Sequence, residues 1–112
     1  MTGIEFEEFL KAHFQSLGYR VTLTQASHDY GADLILKDRN GEKTAVQAKK
    51  YSDKVGIKAV QEISGAVGYY AADKAIVVTN SYFTSSAVQL AKSNAVELWD
   101  RNQLIQRFQI QG

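Results

Sequence analysis

Residues 32–50 read ADLILKDRNGEKTAVQAKK, and the fold turns on them. Leu34, Ile35 and Leu36 form an apolar run that predicts a strand over 32–37. Asp38-Arg39-Asn40-Gly41 predicts a turn, because Asn-Gly between apolar runs is the strongest short hairpin signal. The chain then returns as a strand over 42–49. Strand side chains alternate, so Val46 and Ala48 face one way while Gln47 and Lys49 face the other. The hairpin carries Asp33, at the opening of one strand, toward Gln47 and Lys49, at the end of the next.

Before the hairpin, Thr2 and Glu5 stand at capping-box spacing and start a helix. Phe6, Leu10, His13, Phe14 and Leu17 repeat at steps of three and four, and Gly18 is placed to end the helix with a left-handed residue. Residues 19–24 alternate as a half-buried strand with Tyr19, Val21 and Leu23 on one side. Residues 25–31 form a polar loop; its His28 is assigned no role. After the hairpin and a polar loop over 51–56, residues 57–71 predict a helix with Val60, Ile63, Val67 and Tyr70 inward. Gly65 and Gly68 cost that helix ~1 kcal/mol each, which implies close packing against a neighbour. Tyr69 and Tyr70 read as packing residues. The unbroken run Ala75-Ile76-Val77-Val78 predicts a strand over 74–80 that is covered on both faces. Thr84 caps a helix reaching 93, with Ala87, Val88, Leu90 and Ala91 inward. A short strand over 96–99 follows, and Asp100 with Gln103 starts a last helix. The resulting class is α/β: a core ordered α-β-β-β-α-β, a C-terminal α-β-α extension, and a mixed sheet flanked by helices. The first three strands form an antiparallel meander, and the later ones run parallel to a neighbour.

The 112 residues, 45% hydrophobic and 22% charged, describe one globular domain spanning 1–112 and exclude a disordered chain. There is no cysteine, which removes disulfides, thiol catalysis and thiolate metal sites. Proline is absent, and two histidines are too few for a histidine metal cage. No apolar run reaches the length of a membrane span. These features describe a compact intracellular domain whose chemistry rests on carboxylates, amides, lysines and hydroxyls. A net charge of +1 hides an asymmetry: from Lys37 to Lys58 seven basic residues face three acidic ones. A basic segment in a near-neutral chain suits an anionic partner, although by charge alone a solvated loop fits it better.

Asp33, Gln47 and Lys49 suit phosphodiester hydrolysis. A hard divalent ion takes oxygen ligands, here the Asp33 carboxylate, the Gln47 amide oxygen and the Ala48 backbone carbonyl. Lys49 would offset charge building on the phosphate. Glu7, at the border of the first helix's apolar face, would add the negative charge that neutral Gln47 does not; Glu8 points to solvent. Each residue alone also fits a plainer role: an Asp capping backbone N–H groups, Gln and Lys on the solvated face of an edge strand, a solvent-facing Glu. Their combination is what points to chemistry. Ser81, Thr84, Ser85 and Ser86 at a helix start fit simple capping better than phosphate binding.

The run Gly3-Ile4-Glu5-Phe6-Glu7-Glu8-Phe9-Leu10 resembles the opening of Mrr-type restriction endonuclease catalytic domains. So do Gly18-Tyr19, the stretch Asp29-Tyr30-Gly31-Ala32-Asp33-Leu34 and the stretch Val46-Gln47-Ala48-Lys49-Lys50-Tyr51. The similarity continues through Val60-Gln61-Glu62-Ile63-Ser64-Gly65-Ala66 and Val78-Thr79-Asn80-Ser81-Tyr82-Phe83-Thr84. It spans the chain and implies the PD-(D/E)xK nuclease superfamily in its D-QxK variant, with a restriction-endonuclease-like core. It implies a Mg²⁺-dependent DNA endonuclease, with Mn²⁺ as substitute, of restriction or DNA-processing type. Asp33, Gln47 and Lys49 become the catalytic residues, with Asp33, Gln47 and Glu7 on the metal and Glu7 and Gln61 in support. Gln47 stands where many relatives carry Glu, and Ala32 replaces the Pro of the superfamily's name. Lys50, Tyr51, Lys54 and Lys58 are the expected DNA contacts. Expected partners are DNA, a second copy of the chain, and a DNA-recognition or membrane-anchoring segment outside it, in a bacterial or archaeal cytoplasm. The competing readings are a nuclease-fold DNA-binding module without turnover and a junction-resolving nuclease.

Overall fold

The computed structural model describes residues 1–24 and 31–110. The expected element order is present: α1 (Gly3–Ser16), β1 (Arg20–Leu23), β2 (Leu34–Lys37), β3 (Lys43–Lys49), α2 (Ile57–Tyr69), β4 (Lys74–Thr79), α3 (Ser85–Ser93), β5 (Glu97–Trp99) and α4 (Arg101–Phe108). The capping box at α1 is reciprocal. The Glu5 N–H donates to Thr2 Oγ1 at 3.1 Å, and the Thr2 N–H donates to Glu5 Oε1 at 2.7 Å. Those bonds to Thr2 hold the Glu5 carboxyl below its ordinary pKa. At the other end Gly18 takes φ +99°, its N–H reaches the Gln15 carbonyl and the Tyr19 N–H reaches that of Phe14. This is a Schellman ending, sealed by the Tyr19 ring edge-on to Phe14 at 5.9 Å.

The strands lie in the order β1-β2-β3-β4-β5, antiparallel through β3 and parallel beyond it. The β2–β3 hairpin closes through three residues rather than two. Asp38 and Glu42 pair, the Gly41 N–H donates to the Asp38 carbonyl, and Gly41 alone of the turn has positive φ, +83°. The Asp38 carboxylate accepts the N–H groups of Asn40 and Glu42, which favours this type I turn with a left-handed Gly over the mirror-image turn that Asn-Gly alone suggests.

Strand alternation splits the core in two. Leu34, Leu36, Val46, Ile76 and Val78 pack with Phe6, Leu10 and Phe14 of α1 and with Trp99, Leu104 and Phe108. Ala45, Ala75 and Val77 pack on the opposite face with Val60, Ile63 and Ala66 of α2 and with Ala87 and Ala91 of α3. The second face is built largely of alanine and valine, which lets α2 lie close to β3.

Several expectations are corrected. Gly65 and Gly68 do not pack closely: both are exposed, with open space where a side chain would stand. Val88 points outward from α3, and Tyr69 is exposed, its ring edge-on to Tyr70 at 4.8 Å. Leu17 is exposed, because the helix has ended by that residue. His28 and most of the expected 25–31 loop lie outside the described residues. No described helix is long and apolar enough to cross a membrane.

Candidate active site

Asp33 sits one residue before β2, just past the paired Leu34 and Val46, so antiparallel register sets it against Gln47. Its backbone is pinned on both sides: its N–H donates to the Val46 carbonyl at 2.8 Å, and its carbonyl accepts the Thr24 N–H at 3.0 Å. Its carboxylate Oδ2 accepts the Ala48 N–H at 2.8 Å. Asp33 thus does cap a backbone N–H, as the plainer reading held, and that bond also aims the carboxylate across β3.

Gln47 is not on a solvated edge. β3 is the central strand, and Gln47 is 4% exposed. Its Oε1 has no hydrogen-bond partner among the described residues. An orphaned buried acceptor costs about 1–3 kcal/mol, and in a native structure such an atom calls for an explanation. A cation is one that fits, since an amide oxygen is a hard ligand beside a carboxylate.

Lys49 shares the Gln47 face. Its ammonium lies 3.6 Å from the Glu62 carboxylate of α2 and 5.8 Å from the centre of the Tyr51 ring. Its backbone is held from β4: the Thr79 hydroxyl donates to the Lys49 carbonyl at 2.6 Å, and Asn80 Oδ1 accepts the Tyr51 N–H at 2.8 Å. Glu7 stands half-buried on α1. Burial pushes its carboxyl pKa up, and the nearby charges of Asp33 and Glu8 push it further. The Asp33 charge thus opposes ionisation of Glu7, a repulsion that a cation bound nearby would relieve. Among the described residues no three His, Cys, Asp or Glu side chains gather as a metal cage, so a divalent ion here would rely on the Gln47 oxygen as well as on carboxylates.

The remaining candidates are spread out. Gln61 is exposed on α2, and its neighbour Glu62 reaches Lys49 instead. Lys50, Tyr51, Lys54 and Lys58 are exposed. Lys50 lies across the sheet from Lys49, in an apolar cleft with Phe9 and Arg101. Ser81 and Thr84 serve the local backbone, Ser81 bonding to the Asp53 carbonyl and Thr84 capping α3. Sequence reading overlooked Glu62, Thr79 and Asn80. Helical period held the signal for Glu62, which lies three residues after buried Ala59 and four before buried Ala66. Thr79 and Asn80 gave no such signal, because their partners are some 30 residues away.

Gly31 fixes the approach to Asp33. Its φ is +88°, and a Cβ there would lie 2.8 Å from the Glu62 carbonyl carbon and nearer still to its oxygen. Gly31→Ala is expected to destabilise the domain by about 2–4 kcal/mol, from backbone strain and overpacking together. Urea unfolding checks this; a loss under ~0.5 kcal/mol would mean the loop departs from α2 without penalty.

A restriction endonuclease family model, that of the Mrr catalytic domain, matches residues 1–108. Among solved structures, the DNA modification-dependent restriction endonuclease AspBHI is 25% identical with a TM-score of 0.74, over 90% of this chain and 29% of that one. EndoMS in a double-stranded DNA complex is 16% identical with a TM-score of 0.66, over 89% and 45%. MspJI in complex with a 27-mer oligonucleotide is 18% identical with a TM-score of 0.63, over 88% and 26%. The last two show a shared fold, and this chain spans less than half of any of the three. No curated protein sequence matches it. A family match over nearly the whole chain, on a restriction-endonuclease-like fold, places the protein in the Mrr catalytic-domain family of restriction endonucleases.

Proposed function

We propose that this chain is a divalent-metal-dependent DNA endonuclease module that hydrolyses phosphodiester bonds with Mg²⁺, or with Mn²⁺ in its place. The observation that carries the reading is the buried Gln47 Oε1, without a hydrogen-bond partner among the described residues, on the sheet face it shares with Lys49 and opposite Asp33 in the β2–β3 register. A bound divalent ion supplies electrophilic polarisation of the phosphodiester. Asp33 and Gln47 hold it through one charged and one neutral oxygen, and Glu7 adds a second negative charge from α1. Lys49 offsets the charge that builds on the phosphate. Tyr51, Lys54 and Lys58, exposed beyond the end of β3, track the strand being cut, which makes binding salt-dependent. DNA is the favoured substrate because EndoMS and MspJI were solved with nucleic acid bound. The chain spans 29% of AspBHI, so sequence choice falls to a second copy or to a segment outside these residues.

The test is a cleavage panel on supercoiled plasmid, unmethylated and methylated, and on branched DNA, with Mg²⁺, Mn²⁺ or chelator. The expected result is nicking or linearisation with either metal and none with chelator. Tight DNA binding without cleavage across the whole panel would overturn the reading in favour of a non-catalytic DNA-binding module.

A further inference from the structure

The face of α2 that looks onto the site offers an acid, Glu62, beside the one lysine of the Asp33–Gln47–Lys49 group. On a surface that must approach a polyanion, an acidic side chain opposes binding unless it does something else there. Two independent contacts converge on this residue. Its carboxylate lies 3.6 Å from the Lys49 ammonium, with both side chains only about a quarter exposed. Its backbone carbonyl is the surface against which Gly31 packs so closely that no Cβ fits, and Gly31 leads directly to Asp33. One residue of α2 therefore touches both limbs of the site, the approach to Asp33 and the end of Lys49.

We propose that Glu62 is a positioning residue: its carboxylate holds the Lys49 ammonium beside Gln47 while its backbone sets the height of the Asp33 loop over β3. This rests on the nuclease reading above. A lysine on its flexible four-carbon stem samples many rotamers, and only some place the charge near the phosphate. Glu62 on α2 and the Tyr51 ring, 5.8 Å from the ammonium, limit that sampling. A lysine held in place before DNA arrives forfeits less freedom when the phosphate does. The pair needs to be no stronger than an ordinary partly exposed ion pair, because the DNA phosphate competes for the same ammonium.

Glu62→Gln keeps the shape of the side chain and removes its charge. The expected result is a kcat roughly 10- to 100-fold lower, the loss typical of a misplaced reacting group, with KM for DNA unchanged or lower and an unaltered melting temperature. Glu62→Asp should restore part of the rate. If Lys49→Ala abolishes cleavage while Glu62→Gln cuts as fast as wild type or faster, Glu62 is only a charge facing the DNA and the proposal is overturned. An arm independent of turnover uses ¹⁵N NMR of the lysine ammonium groups. The Lys49 group should be more ordered than that of exposed Lys54 in wild type, and should lose that order in Glu62→Gln. Equal mobility of Lys49 and Lys54 in the wild-type protein overturns the proposal. A wild-type protein that cuts no DNA defeats the nuclease reading alone, and the NMR comparison then decides the restraint.

Discussion

Asp33→Asn and Lys49→Ala are each expected to remove DNA cleavage while leaving a folded protein. Asn keeps a side-chain oxygen to accept the Ala48 N–H, 2.8 Å away in wild type, so the hairpin retains its bond and loses only a negative charge. Without that charge the Gln47 oxygen is left as a neutral ligand beside a neutral amide. Electrostatic stabilisation of this kind is worth ~3 kcal/mol or more at the transition state, so the rate should fall by roughly a hundredfold or more. Lys49→Ala removes the one positive charge in the group and leaves Glu62 without that partner but still in reach of solvent, so its stability cost should stay near ~1 kcal/mol. Circular dichroism and melting curves for both variants should overlay wild type while plasmid cleavage is lost. Undiminished cleavage by both would mean that the reacting centre lies elsewhere.

Phe14→Ala should have the largest effect on stability. Phe14 has no exposed surface and packs at 5.2 Å against Phe108, 5.4 Å against Trp99 and 5.9 Å against Tyr19. Truncation empties the centre of the α1–α4 face and also removes the ring that seals the end of α1. Phe→Ala changes at such sites cost about 3–5 kcal/mol, a large share of the 5–15 kcal/mol that holds a domain of this size. The melting temperature should drop by roughly 10–20 °C. Gln47 and Lys49 lie across the sheet, and Glu7 sits about two turns from Phe14 near the capped start of α1, so at temperatures where the variant remains folded its cleavage should stay near wild type. A melting shift of only a few degrees would mean that the aromatic cluster closes over the gap.

Periodicity and end signals made most of this architecture readable from residues alone. Thr2-x-x-Glu5 and Gly18 define α1 because capping is a contest among neighbours three or four residues apart, which a linear sequence displays directly. The alternation of Val46, Gln47, Ala48 and Lys49 puts Gln47 and Lys49 on one face for the same reason. The errors have a common origin. Gly65 and Gly68 looked like contact points, yet the close approach is at Gly31, where a loop meets a helix 31 residues further along the chain. The resemblance points to Gln61 of α2, and it leaves unmarked the neighbouring Glu62, which the helical phase set by Ala59 and Ala66 turns toward Lys49.

The sequence by itself determined the order of elements, the face each strand residue occupies, and that a hairpin joins the strand opened by Asp33 to the one that carries Gln47 and Lys49; the three-residue turn that sets Asp33 opposite Gln47 was decided by the structure. The first three follow from local rules: a strand repeats every two residues, a helix every 3.6, and a turn signal marks a hairpin. Only the tertiary structure decided that Gln47 is buried with an oxygen unanswered among the described residues, that Glu62 lies within ion-pair distance of Lys49, and that Thr79 and Asn80 tether the end of β3 from the end of β4. Those facts depend on how closely α2 settles onto the sheet and on which parallel strand lies beside β3. Both are set by packing among side chains far apart in the chain, where no local period reaches.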